Sequence, residues 1–258
     1  MNQIRIGMLT PSSNTVLESA LTVLAVAMPR LSIHISRFRV TEISLLPKGL
    51  DQFAIGPMVA AAELLADAEV DAIAWNGTSA SWLGFSRDEE LCRRITASTG
   101  VPATSASLAF REACQALGLR RIGLVTPYTT EVQERVCATW ADAGLPCTAE
   151  RHLGLSHNFA FAEVSEQTIS ALVRAVAAEG CDAAAIVCTN LRGTAVAPAL
   201  ECELGIPVLD SIAVTLWSAL RRVGADPGVL ASKGLIFSQT GGPAARCAGS
   251  YIPTIYKP

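Results

Sequence analysis

Charge is scarce in this chain, and neither sign prevails: 20 Lys+Arg stand against 23 Asp+Glu, and charged residues make up 17% of the 258 positions. A chain with so little basic excess has no electrostatic footprint for a phosphate backbone, so nucleic acid is excluded as an expected partner. Long apolar runs are missing too. Acidic residues interrupt each one, as Glu63 and Asp67 do within Val59–Asp67, so no stretch reaches the roughly 18–20 residues of a membrane helix. The first residues lack an apolar core followed by a small-residue cleavage site and read as a strand, which makes a cytoplasmic protein the expectation. No Cys-x-x-Cys pair occurs among the eight cysteines, and the three histidines lack a partner pattern; no metal site is expected.

What is present is apolar substance, 50% of the residues, enough for a full core without a staple. Short β-rich runs alternate with Ala/Leu-rich helical stretches. Strands are expected at 4–9, 31–39, 72–75 and 101–104, with helices at 14–26, 57–68, 87–98 and 108–117. That alternation implies βαβ units and a parallel sheet with ligands at the carboxyl ends of its strands.

The chain then repeats itself. Arg5-Ile6-Gly7-Met8-Leu9-Thr10-Pro11 returns as Arg121-Ile122-Gly123-Leu124-Val125-Thr126-Pro127, an offset of 116 at which Val16 and Glu18 also return as Val132 and Glu134. Asp71-Ala72-Ile73-Ala74 returns as Asp182-Ala183-Ala184-Ala185, and Gly100-Val101-Pro102 as Gly205-Ile206-Pro207. Three echoes in one order predict an α/β protein of two pseudo-symmetric lobes. Each lobe is a four-stranded parallel sheet flanked by helices, with the active site in the cleft between them. The boundaries expected are 1–115 for the first lobe and 116–212 for the second. A last helix at 214–223 and an aperiodic tail at 238–258 pack back on the first lobe.

Facing lobes bring matching strand-end loops together. The direct register sets Thr10–Asn14 across from Thr126–Thr130, and Asn76–Ser79 across from Val187–Asn190, with Gly77 opposite Cys188. Hydroxyls and amides beside helix N-termini suit small anions. Ser12, Ser13, Asn14, Thr78 and Ser79 are equally good as plain helix caps. Cys188 is the one cysteine at an expected strand end. Beside a helix N-terminus its thiol would have a lowered pKa and exchange protons near neutrality; the other reading is a buried structural thiol.

Taken together, Pro11-Ser12-Ser13-Asn14-Thr15, Gly77-Thr78-Ser79, Thr126-Pro127-Tyr128, Leu153–Asn158 and Cys188-Thr189 resemble the aspartate/glutamate racemase superfamily, in its maleate isomerase and arylmalonate decarboxylase branches. The resemblance implies the same two-lobed fold and an enzyme that needs no cofactor. Racemases and isomerases of this group carry one cysteine per lobe. Cys188 matches the second, and Gly77 stands where the first would be, as in the decarboxylases.

The implied reaction is decarboxylation of a small malonate-type dicarboxylic acid. Thr78, Ser79 and Tyr128 hold an enediolate, Cys188 protonates it, and Gly77 leaves space for a substituent. Ser12, Ser13, Asn14, Gly77, Asn158, Thr189 and Asn190 form the substrate-binding set. Asn14, Asn158 and the Cys-Thr pair instead resemble the isomerase and racemase pattern, so a cis–trans isomerase or racemase is the alternative. A non-catalytic carboxylate-binding protein of this fold is a third reading. Arg192 is a carboxylate clamp or a surface arginine. No interface signature decides between a monomer and a homo-oligomer.

Overall fold

A computed structural model describes residues 3–238. Its first half runs β1 (Ile4–Pro11), α1 (Leu17–Val26), β2 (Leu31–Phe38), α2 (Pro47–Asp51), α3 (Ile55–Ala66), β3 (Ala72–Trp75), α4 (Ala80–Leu83), α5 (Phe85–Thr99), β4 (Ala103–Ser105) and α6 (Ala106–Leu117). The second half runs β5 (Ile122–Thr126), α7 (Thr130–Asp142), β6 (Cys147–His152), α8 (Asn158–Phe161), α9 (Glu166–Ala177), β7 (Ala183–Ile186), α10 (Gly193–Leu204), β8 (Val208–Asp210) and α11 (Ser211–Arg222). The sheets have the orders β2-β1-β3-β4 and β6-β5-β7-β8, and all pairings are parallel. The two four-stranded sheets expected from the repeat are therefore present.

The repeated residues explain the repeated geometry. Asp71 accepts from the Arg5 amide at 2.7 Å, and Asp182 accepts from the Arg121 amide at 3.0 Å; each ties the start of a first strand to the start of a third. Gly7 and Gly123 admit the covering helices. A β-carbon on Gly123 would fall 2.9 Å from Val176 of α9, and one on Gly7 3.1 Å from Leu65 of α3. The third strands, β3 and β7, are buried along their whole length. Covered on both faces, they read as continuous apolar runs.

Helix ends shift from the sequence expectation where a side chain sets the start. Asn14 accepts from the amides of Val16 and Leu17, both at 3.0 Å, so it caps α1 and is not part of it. Asp210 accepts from Ile212 and Ala213, both at 3.0 Å, and starts α11 three residues before the expected Val214. Helix α11 packs on α6, β3 and β4. Ser218 bonds Thr104 at 3.0 Å and donates to Glu112 at 2.7 Å. Beyond Ser238, which closes a 3-10 turn, the expected tail lies outside the described residues.

The lobes also share a buried carboxyl–hydroxyl pair with its members exchanged. Asp88 on α5 bonds Ser105 at the end of β4; Thr194 on α10 donates to Asp210 at the end of β8, at 2.6 Å. Burial pushes Asp88 up to about 7 and Asp210 to about 6; on α10, Glu201 is likewise driven to about 7. An acid whose folded pKa lies above its unfolded value binds more protons when folded. Stability therefore falls as pH rises from about 4 to about 7, and is level above that. Asp88→Asn removes one titrating group and is expected to flatten this decline and raise stability at pH 7.5 by a few kcal/mol. Urea unfolding at pH 4.5 and 7.5 checks it; an unchanged difference between the two would contradict it.

Candidate active site

Four loops leave the carboxyl ends of β1, β3, β5 and β7, and hydrogen bonds between lobes fix how they meet. Thr78, after β3, bonds the Tyr128 hydroxyl, after β5, at 2.7 Å. Asn14, after β1, donates to the carbonyl of Thr189, after β7, at 3.0 Å. The Thr15 amide donates to Asn190 Oδ1 at 3.0 Å. The pairing is thus crossed: first loop to third and third to first. This corrects the direct register, which set the first loops against each other. A two-fold relation between lobes reverses left and right, so neighbouring strands exchange partners. Thr189, donating to the Asn76 carbonyl at 3.0 Å, joins third loop to third.

A chain of buried amides carries the junction further. Asn190 donates to the Asn158 carbonyl at 2.6 Å, Asn158 donates to Ser13 Oγ at 2.7 Å, and Ser13 donates to the Val40 carbonyl at 2.6 Å. Ser12 also reaches Val40, at 3.4 Å. Ser12 and Ser13 therefore brace the loop after β2 and leave the capping of α1 to Asn14. A strap from the first lobe completes this edge: Ile43 donates to the Ser156 carbonyl at 2.8 Å, and Asn158 to the Thr41 carbonyl at 3.0 Å. Asn14→Ala removes a cap and an inter-lobe bond together. It is expected to lower unfolding stability by about 1–3 kcal/mol, read by urea denaturation; a loss below about 0.5 kcal/mol would mean that neither bond matters.

Cys188 lies within this frame. Its sulfur accepts from the Asn190 amide at 3.4 Å and bonds Tyr128. The lowered pKa expected from a helix N-terminus is overturned. Burial dominates and pushes the thiol up to about 12, against the pull of the Asn190 amide and the Tyr128 hydroxyl. Helix α10 starts at Gly193, five residues beyond Cys188. At neutral pH Cys188 is a neutral thiol and holds its proton. Tyr128 is also raised well above the ordinary phenol value, first by burial and then by Cys188, and stays protonated. It is packed edge-on against Trp82 and Phe161, with ring centres 5.1 and 5.8 Å away.

Gly77 does not open onto free space, contrary to the expectation that it leaves room for a substituent. A β-carbon there would fall 2.0 Å from Cζ2 and 2.4 Å from Cε2 of Trp75. The indole of Trp75, fully buried, covers the glycine. Strand alternation carries this signal in the sequence, since residues two apart share a face. Ser79 is buried at the head of α4 and makes no capping bond through its side chain. Arg192 is exposed and donates to the Ala162 carbonyl at 3.2 Å, the geometry of a surface arginine. His152 pairs with Glu150 at 2.9 Å and bonds Thr130, at the end of the loop after β5, at 3.1 Å.

A family model described as arylmalonate decarboxylase matches residues 37–237. An arylmalonate decarboxylase of Bordetella bronchiseptica is 32% identical over 200 residues, covering 76% of this chain and 83% of that protein. Among solved structures, a cysteine-to-alanine variant of the maleate isomerase Iso from Pseudomonas putida S16 with maleate superposes with a TM-score of 0.85. It is 22% identical, over 93% of this chain and 99% of that one. A liganded arylmalonate decarboxylase, carrying a glycine-to-cysteine and a cysteine-to-serine change, gives a TM-score of 0.76 at 28% identity, over 86% of this chain and 93% of the other. Among the described residues no helix is long and apolar enough to cross a membrane.

Proposed function

This chain belongs to the arylmalonate decarboxylase family, and from that membership we propose that it decarboxylates a small malonate-type dicarboxylic acid, with Cys188 as the proton donor. As an enzyme it is a lyase or an isomerase, in line with the decarboxylase and maleate isomerase it is similar to. What favours the lyase is the pairing of one neutral thiol with a glycine roofed by an indole. Exchange of a proton between two faces needs an acid–base group on each, and Trp75 supplies none.

In this reading one carboxylate leaves as carbon dioxide, and the electrons of the broken C–C bond pass into the other carboxylate as an enediolate. Thr78 and Tyr128, already bonded to each other, offer hydroxyls to the developing charge, and Ser79 adds a third. Each such donor is typically worth about 2.7–4 kcal/mol in a transition state. Cys188 gives its proton to the α-carbon from one face and takes another from solvent. A thiol held near 12 is still the stronger acid beside a carbanion, so the transfer runs downhill. Asn14, Asn158 and Asn190 hold the loops at this spacing, and Thr189 bonds across them.

The isomerase reading draws on the maleate isomerase likeness and on Thr189 following Cys188. It asks for a nucleophilic cysteine in the first lobe, where this chain carries Gly77. The two separate in one assay. Incubated with a panel of substituted malonates and with maleate, the protein is expected to release carbon dioxide from a malonate and to leave maleate unchanged. Fumarate formed without carbon dioxide release would overturn the proposal.

A further inference from the structure

We propose that Trp75 is the residue that sets substrate size in this site, restricting the chain to malonates whose α-substituent is small rather than aromatic. This rests on the decarboxylase reading of the same site. A glycine at this strand end is expected to leave room for a substituent. Here that room is filled from within the chain. The ring atoms Cζ2, Cε2 and Cη2 of Trp75 all stand within 2.4 Å of where a β-carbon of Gly77 would be. The ring has no room to retreat. Phe38 lies behind it with ring centres 5.0 Å apart, and Trp75 has no exposed surface.

The backbone fixes this arrangement. Trp75 is the last residue of β3 and pairs in register with Leu9 of β1 and Ser105 of β4. The carbonyl of Asn76, between Trp75 and Gly77, is held by Thr189 of the other lobe. The indole is thus anchored on both sides of the glycine it covers. An aryl group on the α-carbon would have to displace an indole of similar size from a close-packed interior, which has few voids to receive it. A methyl or hydrogen would not.

The test is binding and turnover of methylmalonate and phenylmalonate by the wild type and Trp75→Leu. The wild type is expected to bind methylmalonate at least about tenfold more tightly than phenylmalonate, and Trp75→Leu to lower that ratio about tenfold or more. Equal binding of the two acids by the wild type, or a ratio that Trp75→Leu leaves in place, overturns the assignment. If the ratio shifts while no variant releases carbon dioxide, the decarboxylase reading fails and the role of Trp75 stands.

If neither acid binds, a stability cycle decides. Gly77→Ala should destabilise the wild type strongly and the Trp75→Leu variant little; equal losses overturn the proposal. Trp75→Phe, which keeps a ring against Phe38, replaces Trp75→Leu should the latter fail to fold.

Discussion

Cys188→Ala is expected to lower kcat for malonate decarboxylation by about 10²–10⁴-fold, the contribution of a positioned general acid, while leaving the fold intact. The side chain it removes is small, and its polar contacts include the Asn190 and Leu191 amides and Tyr128. Cys188→Ser is expected to fail almost as badly, since a hydroxyl is a far weaker acid than a thiol. The pH dependence carries the same information with a definite sign. With the thiol pushed up to about 12, its protonated form persists throughout the neutral and mildly alkaline range. Turnover should therefore show no limb assignable to Cys188 between about pH 6 and 10. A thiolate mechanism predicts the opposite, a rate that climbs with pH towards the thiol pKa. Steady-state rates across that range, for the wild type and both variants, check this. A Cys188→Ala protein that keeps a tenth or more of its activity would remove the thiol from the mechanism.

Tyr128→Phe is expected to reduce kcat by about 10²–10³-fold, in the manner of a lost oxyanion donor, at a stability cost of only about 1 kcal/mol. The ring is wedged between Trp82 and Phe161, and phenylalanine keeps that packing. What disappears is the hydroxyl that bonds Thr78 at 2.7 Å and also reaches the Cys188 thiol. Because Thr78 and Tyr128 act through one bond, Thr78→Ala combined with Tyr128→Phe should lose much less than the two single losses multiplied. Kinetics of the two single variants and the double variant read this directly. Wild-type kcat in Tyr128→Phe would contradict the donor role.

Much of the architecture could be read from the sequence because the repeat sits in the strands that build it. Arg5 through Pro11 and its echo at Arg121 occupy the second position of each sheet, and Asp71 and Asp182 tie the same junctions in both lobes. Short helices such as α4 and α8 span four residues each, less than the window in which helical periodicity shows, and went unread. The loops were identified, but their opposition was not. An internal repeat says which residues are equivalent. It does not say that a two-fold relation sends Asn14 to Thr189 and Thr78 to Tyr128. The acidity of Cys188 escaped for a related reason: a strand-end position suggests a helix N-terminus nearby, whereas the depth of burial that governs the thiol depends on packing from both lobes. Trp75 was legible in principle from the pleat alone, two residues from Gly77 on the same face.

Product stereochemistry in heavy water puts the single-donor claim to its most direct trial. Turnover of an unsymmetrically substituted malonate in D2O should yield one enantiomer carrying one deuterium at the α-carbon, with no further exchange on prolonged incubation. Racemic product, or loss of the α-deuterium when the isolated product is returned to the enzyme in H2O, would reveal a second acid–base group on the Gly77 side and contradict the account.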